Sequence, residues 1–162
     1  MKRIIIIVIF AWSMLTNAQV ELKGIMIGSK FEGNVENKMV STSVAGINGF
    51  IAIITLEDET IGGLMFVPAN EEYKETNISI VEEEKMVLGL ENKYKITFDK
   101  KLNDSPLIDY YYSAEKDGLK YSIIIKKDDY KTKSINLRLM ISNNELMKKR
   151  DKEEQEKANK DF

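Results

Sequence analysis

Ser113 and Lys116 stand three residues apart in the string SAEK. That is the spacing of a serine acyl enzyme whose lysine assists the nucleophile. Such chemistry needs the two side chains within hydrogen-bond reach. Here the surrounding residues alternate as a strand does, and a step of three along a strand sends side chains to opposite faces. The pair is therefore two strand positions, not a dyad. GIMIGSK, residues 24–30, is glycine-spaced but lacks the Gly-Lys-Ser/Thr ending with which a phosphate loop grips its ligand. It predicts a short strand and a turn, with Ser29 capping a short helix that follows. DKKLND, residues 99–104, offers calcium-friendly oxygens, yet it has no acid at the third position and no glycine at the sixth. It is expected to be a loop. KKDDYKTK, residues 126–133, mixes charges of both signs and predicts a solvated turn.

The chain contains no histidine and no cysteine. Ser-His-Asp and Cys-His nucleophilic sites are thereby excluded. So are zinc sites built from those residues and haem ligation through them. Carboxylate, lysine, serine and tyrosine chemistry remain open, as does binding without catalysis. No catalytic residue, cofactor site or metal site is assigned. The alternative to a binding protein is a carboxylate-based hydrolase acting on envelope polysaccharide. It would need two acids converging at about 5–10 Å, and most acids here fall in a helix cap, in hairpin ion pairs or on the C-terminal tail. The candidate partner-binding residues are Tyr111, Ile124, Arg138 and Met140, which one sheet face would carry amid charged and hydroxyl residues. Tyrosine and arginine are among the types that concentrate binding energy at interfaces. The partner expected is an envelope protein or a glycan.

Three strands position those four residues. Asp117-Gly118 is a pair suited to a two-residue hairpin turn, because both positions take positive φ cheaply. With that turn, Ala114 lies opposite Tyr121, Tyr112 opposite Ile123, and Tyr110 opposite Ile125, an apolar set. The other face pairs Glu115 with Lys120, Ser113 with Ser122, Tyr111 with Ile124, and Asp109 with Lys126. Opposite charges and hydroxyls thus meet across the strands. A third strand, residues 134–141, continues the alternation. It puts Ile135, Leu137, Leu139 and Ile141 on one side and Asn136, Arg138 and Met140 on the other.

Upstream, Asn48-Gly49 predicts a second hairpin turn leading into residues 50–56, apolar on both faces and so expected to be covered on both. LEDET turns the chain into residues 61–67, where Gly62-Gly63 predicts a bulge and Pro68 ends the strand. Ser79-Ile-Val-Glu82 is a capping box, with Glu82, Glu83 and Glu84 in the first turn complementing the helix dipole. Ile80, Val87, Leu90 and Tyr94 form the stripe expected to dock on the sheet, flanked by Met86 and Leu88. The tail, residues 145–162, is helix-prone but poor in apolar residues, having Leu146, Met147, Ala158 and Phe162. Glu153 with Lys157 and Glu156 with Lys160 would supply helical ion pairs, giving a solvated, partly frayed helix.

The first residues are an address. Lys2 and Arg3 precede an apolar run over residues 4–15, too short to cross a bilayer as a helix, which takes about 20 residues. Thr16-Asn17-Ala18 presents small residues for cleavage before Gln19. Export to the periplasm or medium is expected, with no membrane span after cleavage. Residues 19–144 would then form a single domain and 145–162 a charged helix. Losing Lys2 and Arg3 leaves 22 basic against 26 acidic side chains. That balance gives no electrostatic footprint for nucleic acid. The wealth of lysine, isoleucine and asparagine fits an AT-rich bacterial genome.

LKGIMIGSKF at residues 22–31, then a hairpin, then a helix ending in LENKY at residues 90–94 before further strands, resembles small exported bacterial domains. These are the beta-lactamase-inhibitor-protein-like and SmpA/OmlA-like α+β groups. The resemblance covers about a third of the mature chain. It implies a helix after the Gly-Ser pair, a sheet with helices on one face, and a non-enzymatic, partner-binding role. It carries over no functional residue. The fold class expected is α+β: an antiparallel sheet of about seven strands, one packed amphipathic helix and a C-terminal helix.

Overall fold

The computed structural model describes residues 21–33, 38–104, 107–126 and 134–160. The expected leader (1–18), most of the charged turn and Phe162 lie outside the described residues. The described residues begin with a small hairpin, β1 (Glu21–Leu22) and β2 (Ile25–Met26), turned by Lys23-Gly24 at φ 56° and 83°. The described residues that follow Gly28-Ser29, 30–33, are not helical. Ser29 Oγ donates to Met26 O at 2.8 Å, and Phe31 N donates to Glu59 O at 2.9 Å. The backbone groups a helix would have used are spent on the neighbouring turn, so the expected cap at Ser29 does not form.

β3 (Met39–Val44) and β4 (Ile47–Thr55) make the next hairpin, and its turn is Ala45-Gly46, φ 52° and 83°. Asn48-Gly49, expected as the turn, instead lies inside β4, opposite Ser43 and Thr42. Gly49 serves a different need there: a Cβ would come within 2.2 Å of Val67 O and 2.9 Å of the Phe66 ring. The observed turn also gives Val44, Ile47, Ile51 and Ile53 to the core.

β5 (Ile61–Pro68) follows with the expected bulge. Ile54 pairs with Gly63 and Thr55 with Ile61, leaving Gly62 as the extra residue. Next come β6 (Ile78–Ser79), α1 (Ile80–Tyr94), β7 (Asp99–Leu102), β8 (Ile108–Lys116), β9 (Leu119–Lys126), β10 (Ser134–Asn143) and α2 (Asn144–Lys160). The antiparallel sheet runs β3-β4-β5-β10-β9-β8-β7, with β6 paired to the start of β10. Asp99–Leu102 is thus a strand rather than a loop. Its charged side chains suit an edge, where the other side of the ladder meets water. The β8–β9 register is the expected one from Glu115↔Lys120 to Tyr110↔Ile125. Beyond it Lys126 pairs with Ile108, so Asp109 falls in an irregularity and does not face Lys126.

α1 covers one face of the sheet. The capping box forms: Glu82 N donates to Ser79 Oγ at 3.3 Å, and Ser79 N donates to Glu82 Oε2 at 2.8 Å. Met86 and Leu90 are buried against Leu137, Ile123 and Ile125, with Val87 and Tyr94 partly so. Ile80, expected in the stripe, is 51% exposed, because Ile78 of β6 already fills the core where the helix starts. The residue that continues the stripe one turn in is Glu83, at 2% exposure. Lys116 Nζ donates to Tyr94 O at 3.0 Å and so caps the far end of α1. This also settles the SAEK lysine in a role at a helix terminus.

α2 starts where β10 ends, with Asn143 Oδ1 accepting from Glu145 N and Leu146 N at 3.0 and 3.1 Å. It is docked rather than merely solvated. Glu57 N donates to Glu153 Oε2 at 3.1 Å, and Lys157 pairs with Glu57 at 2.8 Å. Among the described side chains of the helix the pairs are Lys148–Glu145, Lys149–Glu153, Arg150–Glu154 and Lys152–Glu156. The expected Glu153–Lys157 pair is replaced because the turn before Thr60 offers Lys157 a closer acid.

Candidate functional site

The face of the sheet opposite α1 carries the four residues singled out from sequence. Tyr111 of β8, Ile124 of β9 and Arg138 of β10 stand in one cross-strand row, since Tyr111 pairs with Ile124 and Ile124 with Arg138. Met140 lies one step along, between Ser122 and Met65. All four are half-buried. Period-two alternation on three consecutive strands is enough to place them together.

Around Ile124 the face is hollowed. A groove of about 190 Å³ is lined by Asn103, Ile108, Tyr111, Lys120, Ser122 and Ile124. A second, of about 470 Å³, shares Lys120, Ser122 and Ile124 and continues past Met140 to Met147, Lys148 and Asp151 of α2. The two form one trough with an apolar floor and a rim of lysine, serine and asparagine. Its α2 wall is the tail helix, which brings Met147 and Lys148 to this face. The signal for it is Asn143, whose side chain caps α2 directly off the end of β10 and so holds Met147 over the sheet.

Arg138 differs from the other three. It does not line the trough. Its Nη2 pairs with Glu75 Oε1 at 2.5 Å, while Asn136 Nδ2 donates to Glu75 Oε2 at 3.3 Å. Burial works against ionisation of Glu75, but the hydrogen bond from Asn136 and the charge of Arg138 outweigh it and hold its carboxyl below the usual range. Arg138 is therefore an engaged cation beside the trough, not a free anchor in it. The segment that supplies Glu75 also closes the β4–β5 end of this face: the Tyr73 ring packs tilted against that of Phe50, centroids 5.7 Å apart, and Phe50 clusters with Val67 and Ala69.

A second constellation lies on the other face, unannounced in the sequence. Tyr110 Oη donates to the carboxyl of Glu83, at 2.9 Å from Oε1 and 2.8 Å from Oε2, and the charge of Glu83 acts on the neighbouring Tyr112 as well. Lys100 Nζ sits 3.7 Å from the Tyr110 ring centroid and 5.2 Å from that of Tyr112. Burial, then the hydrogen bond and charge of Glu83, push both phenols well above their ordinary value. They remain donors throughout the physiological range, so the cluster ties α1 to β8. Among the described residues no group of three or more acids is placed to hold a metal ion. None of their helices is long and apolar enough to cross a membrane.

No family model, no curated protein and no solved structure matches this chain.

Proposed function

We propose that this chain is exported, loses residues 1–18, and acts as a non-enzymatic binding protein of the bacterial envelope. Its partner, an envelope protein or a glycan, lies along the trough on the outer sheet face. The observation that carries this reading is the continuous groove over Ile124, with Tyr111 at one end and Met140 and Met147 at the other. Aromatic and methionine side chains in a half-buried, polar-rimmed trough are what a partner can desolvate at small entropic cost. Arg138 adds a charge already fixed by Glu75, which reduces the ordering it must undergo on binding. The positive n-region and short apolar run at the N-terminus support export.

The test joins Tyr111→Ala to Ile124→Ser and leaves Arg138 intact, since its loss would strand Glu75. Immobilised wild type should retain a specific envelope protein or glycan that the double variant loses, with the melting temperature little changed. Loss of such an anchor pair is worth about 2–4 kcal/mol. Equal retention by both proteins would overturn the reading. Intact-mass analysis of the exported protein should find Gln19 as its first residue.

A further inference from the structure

The two ends of the sheet differ in a way the trough does not explain. At one end β7 reads Asp-Lys-Lys-Leu, with the charges that natural edges use to refuse a neighbour. At the other end β3 reads Met-Val-Ser-Thr-Ser-Val, with no charge, no proline and no break in its six-residue register with β4. Val44 and Ile47 close a two-residue hairpin, so Val44, Thr42 and Val40 turn their backbone groups toward β4. The bond from Ile53 N to Lys38 O, at 2.8 Å, keeps the same phase. Met39, Ser41 and Ser43 therefore point their N–H and C=O groups to the open side, where no strand among the described residues takes them.

Residues 40–44 read the same in both directions, Val-Ser-Thr-Ser-Val. We propose that β3 pairs antiparallel with β3 of a second copy of this chain, about a two-fold axis through Thr42. One sheet then runs across both copies. In that register Thr42 faces itself, Val40 faces Val44, and Ser41 faces Ser43, setting β-branched residues on β-branched residues and hydroxyls on hydroxyls. Ser41 and Ser43 are the residues with outward backbone groups, so the ladder closes where the donors and acceptors stand. A two-fold interface uses one patch twice, and a palindromic strand is complementary to itself. Apolar area awaits cover at the same edge: Met39 and Val40 are 44% and 39% exposed. Gly89 of α1 approaches Ala45, with a built Cβ 3.7 Å from the Ala45 Cβ, and its neighbour Leu88 is 58% exposed.

Thr42→Cys tests this directly. A non-hydrogen-bonded antiparallel pair has Cα atoms about 4.5 Å apart, within the range a disulfide spans. The chain has no other cysteine. Under mild oxidation the purified mature variant should become a covalent dimer, while Lys101→Cys on the opposite edge stays monomeric. Wild type should sediment as a concentration-dependent dimer. Ser41→Pro, which removes an outward N–H that β4 does not use, should sediment as a monomer with its circular dichroism spectrum retained. Wild type that is monomeric at every concentration, or a Thr42→Cys thiol that stays free, overturns the proposal even if Ser41→Pro fails to fold.

Discussion

Tyr110→Phe removes one oxygen atom and leaves the ring in place, with Lys100 still 3.7 Å from its centroid. What is lost is the donor shared by both oxygens of Glu83, a side chain at 2% exposure. A hydrogen bond to a carboxylate contributes about 1.5–3 kcal/mol, and a buried acceptor left short of partners adds its desolvation cost. The ring stays packed beside Lys100, so the expected loss is about 2 kcal/mol, or about 6 °C in melting temperature for a domain of this size. Glu83→Met should cost a similar amount, because it strands the Tyr110 phenol. The triple variant Tyr110→Phe, Tyr112→Phe, Glu83→Met has no polar group left to strand. It should return to within about 1 kcal/mol of wild type, as apolar replacement of buried polar sets often does. The assay is urea unfolding followed by circular dichroism at constant m-value, with the coupling taken from the mutant cycle. Additive losses of about 6 kcal/mol in the triple variant, or a Tyr110→Phe effect below about 0.5 kcal/mol, would refute the account of Glu83 as a carboxyl held by the Tyr110 phenol.

The Glu75 carboxyl is held below its ordinary value of 4.5, so its contribution to stability is present above that pH and is lost as pH falls through the folded-state value. Wild type should accordingly melt higher than Glu75→Gln at neutral pH, and the gap should close under acid. Tyr94 and Tyr121 are pushed up to about 12 by burial, so their contribution holds below pH 10 and is lost as pH rises through about 12. A spectrophotometric titration should show their phenols, with those of Tyr110 and Tyr112, ionising only as the chain unfolds in alkali. Gly49→Ala places a methyl 2.2 Å from Val67 O, which should cost about 3 kcal/mol in urea unfolding and shift β4 against β5.

The β8–β9–β10 meander was legible because three signals agreed there: an Asp-Gly turn, strict alternation, and opposite charges and hydroxyls falling into register. The capping box and the Gly62 bulge were legible for the same local reasons. The β3–β4 turn was not, because Ala45-Gly46 and Asn48-Gly49 are both compatible with positive φ. The deciding fact is the close approach of Val67 O to Gly49, a contact between strands that no local pattern encodes. β7 read as a loop since edge strands carry the charges that loops carry. Glu83 was assigned to the helix dipole along with Glu82 and Glu84. Its burial depends on two tyrosines about thirty residues away arriving from the sheet. Of the candidate face, the row Tyr111–Ile124–Arg138 came from alternation alone. The trough came from α2 and the Arg138–Glu75 pair from the segment before β6, both tertiary events.

The central claim is that the outer face, and not the helical face, receives a partner. A photo-crosslinking residue placed at Ser122, on the trough floor, tests it against one placed at Glu84, on the exposed side of α1. With each variant irradiated in its native host, the account predicts a discrete adduct at Ser122 and none at Glu84. No adduct at Ser122, or the same adducts from both positions, would contradict it.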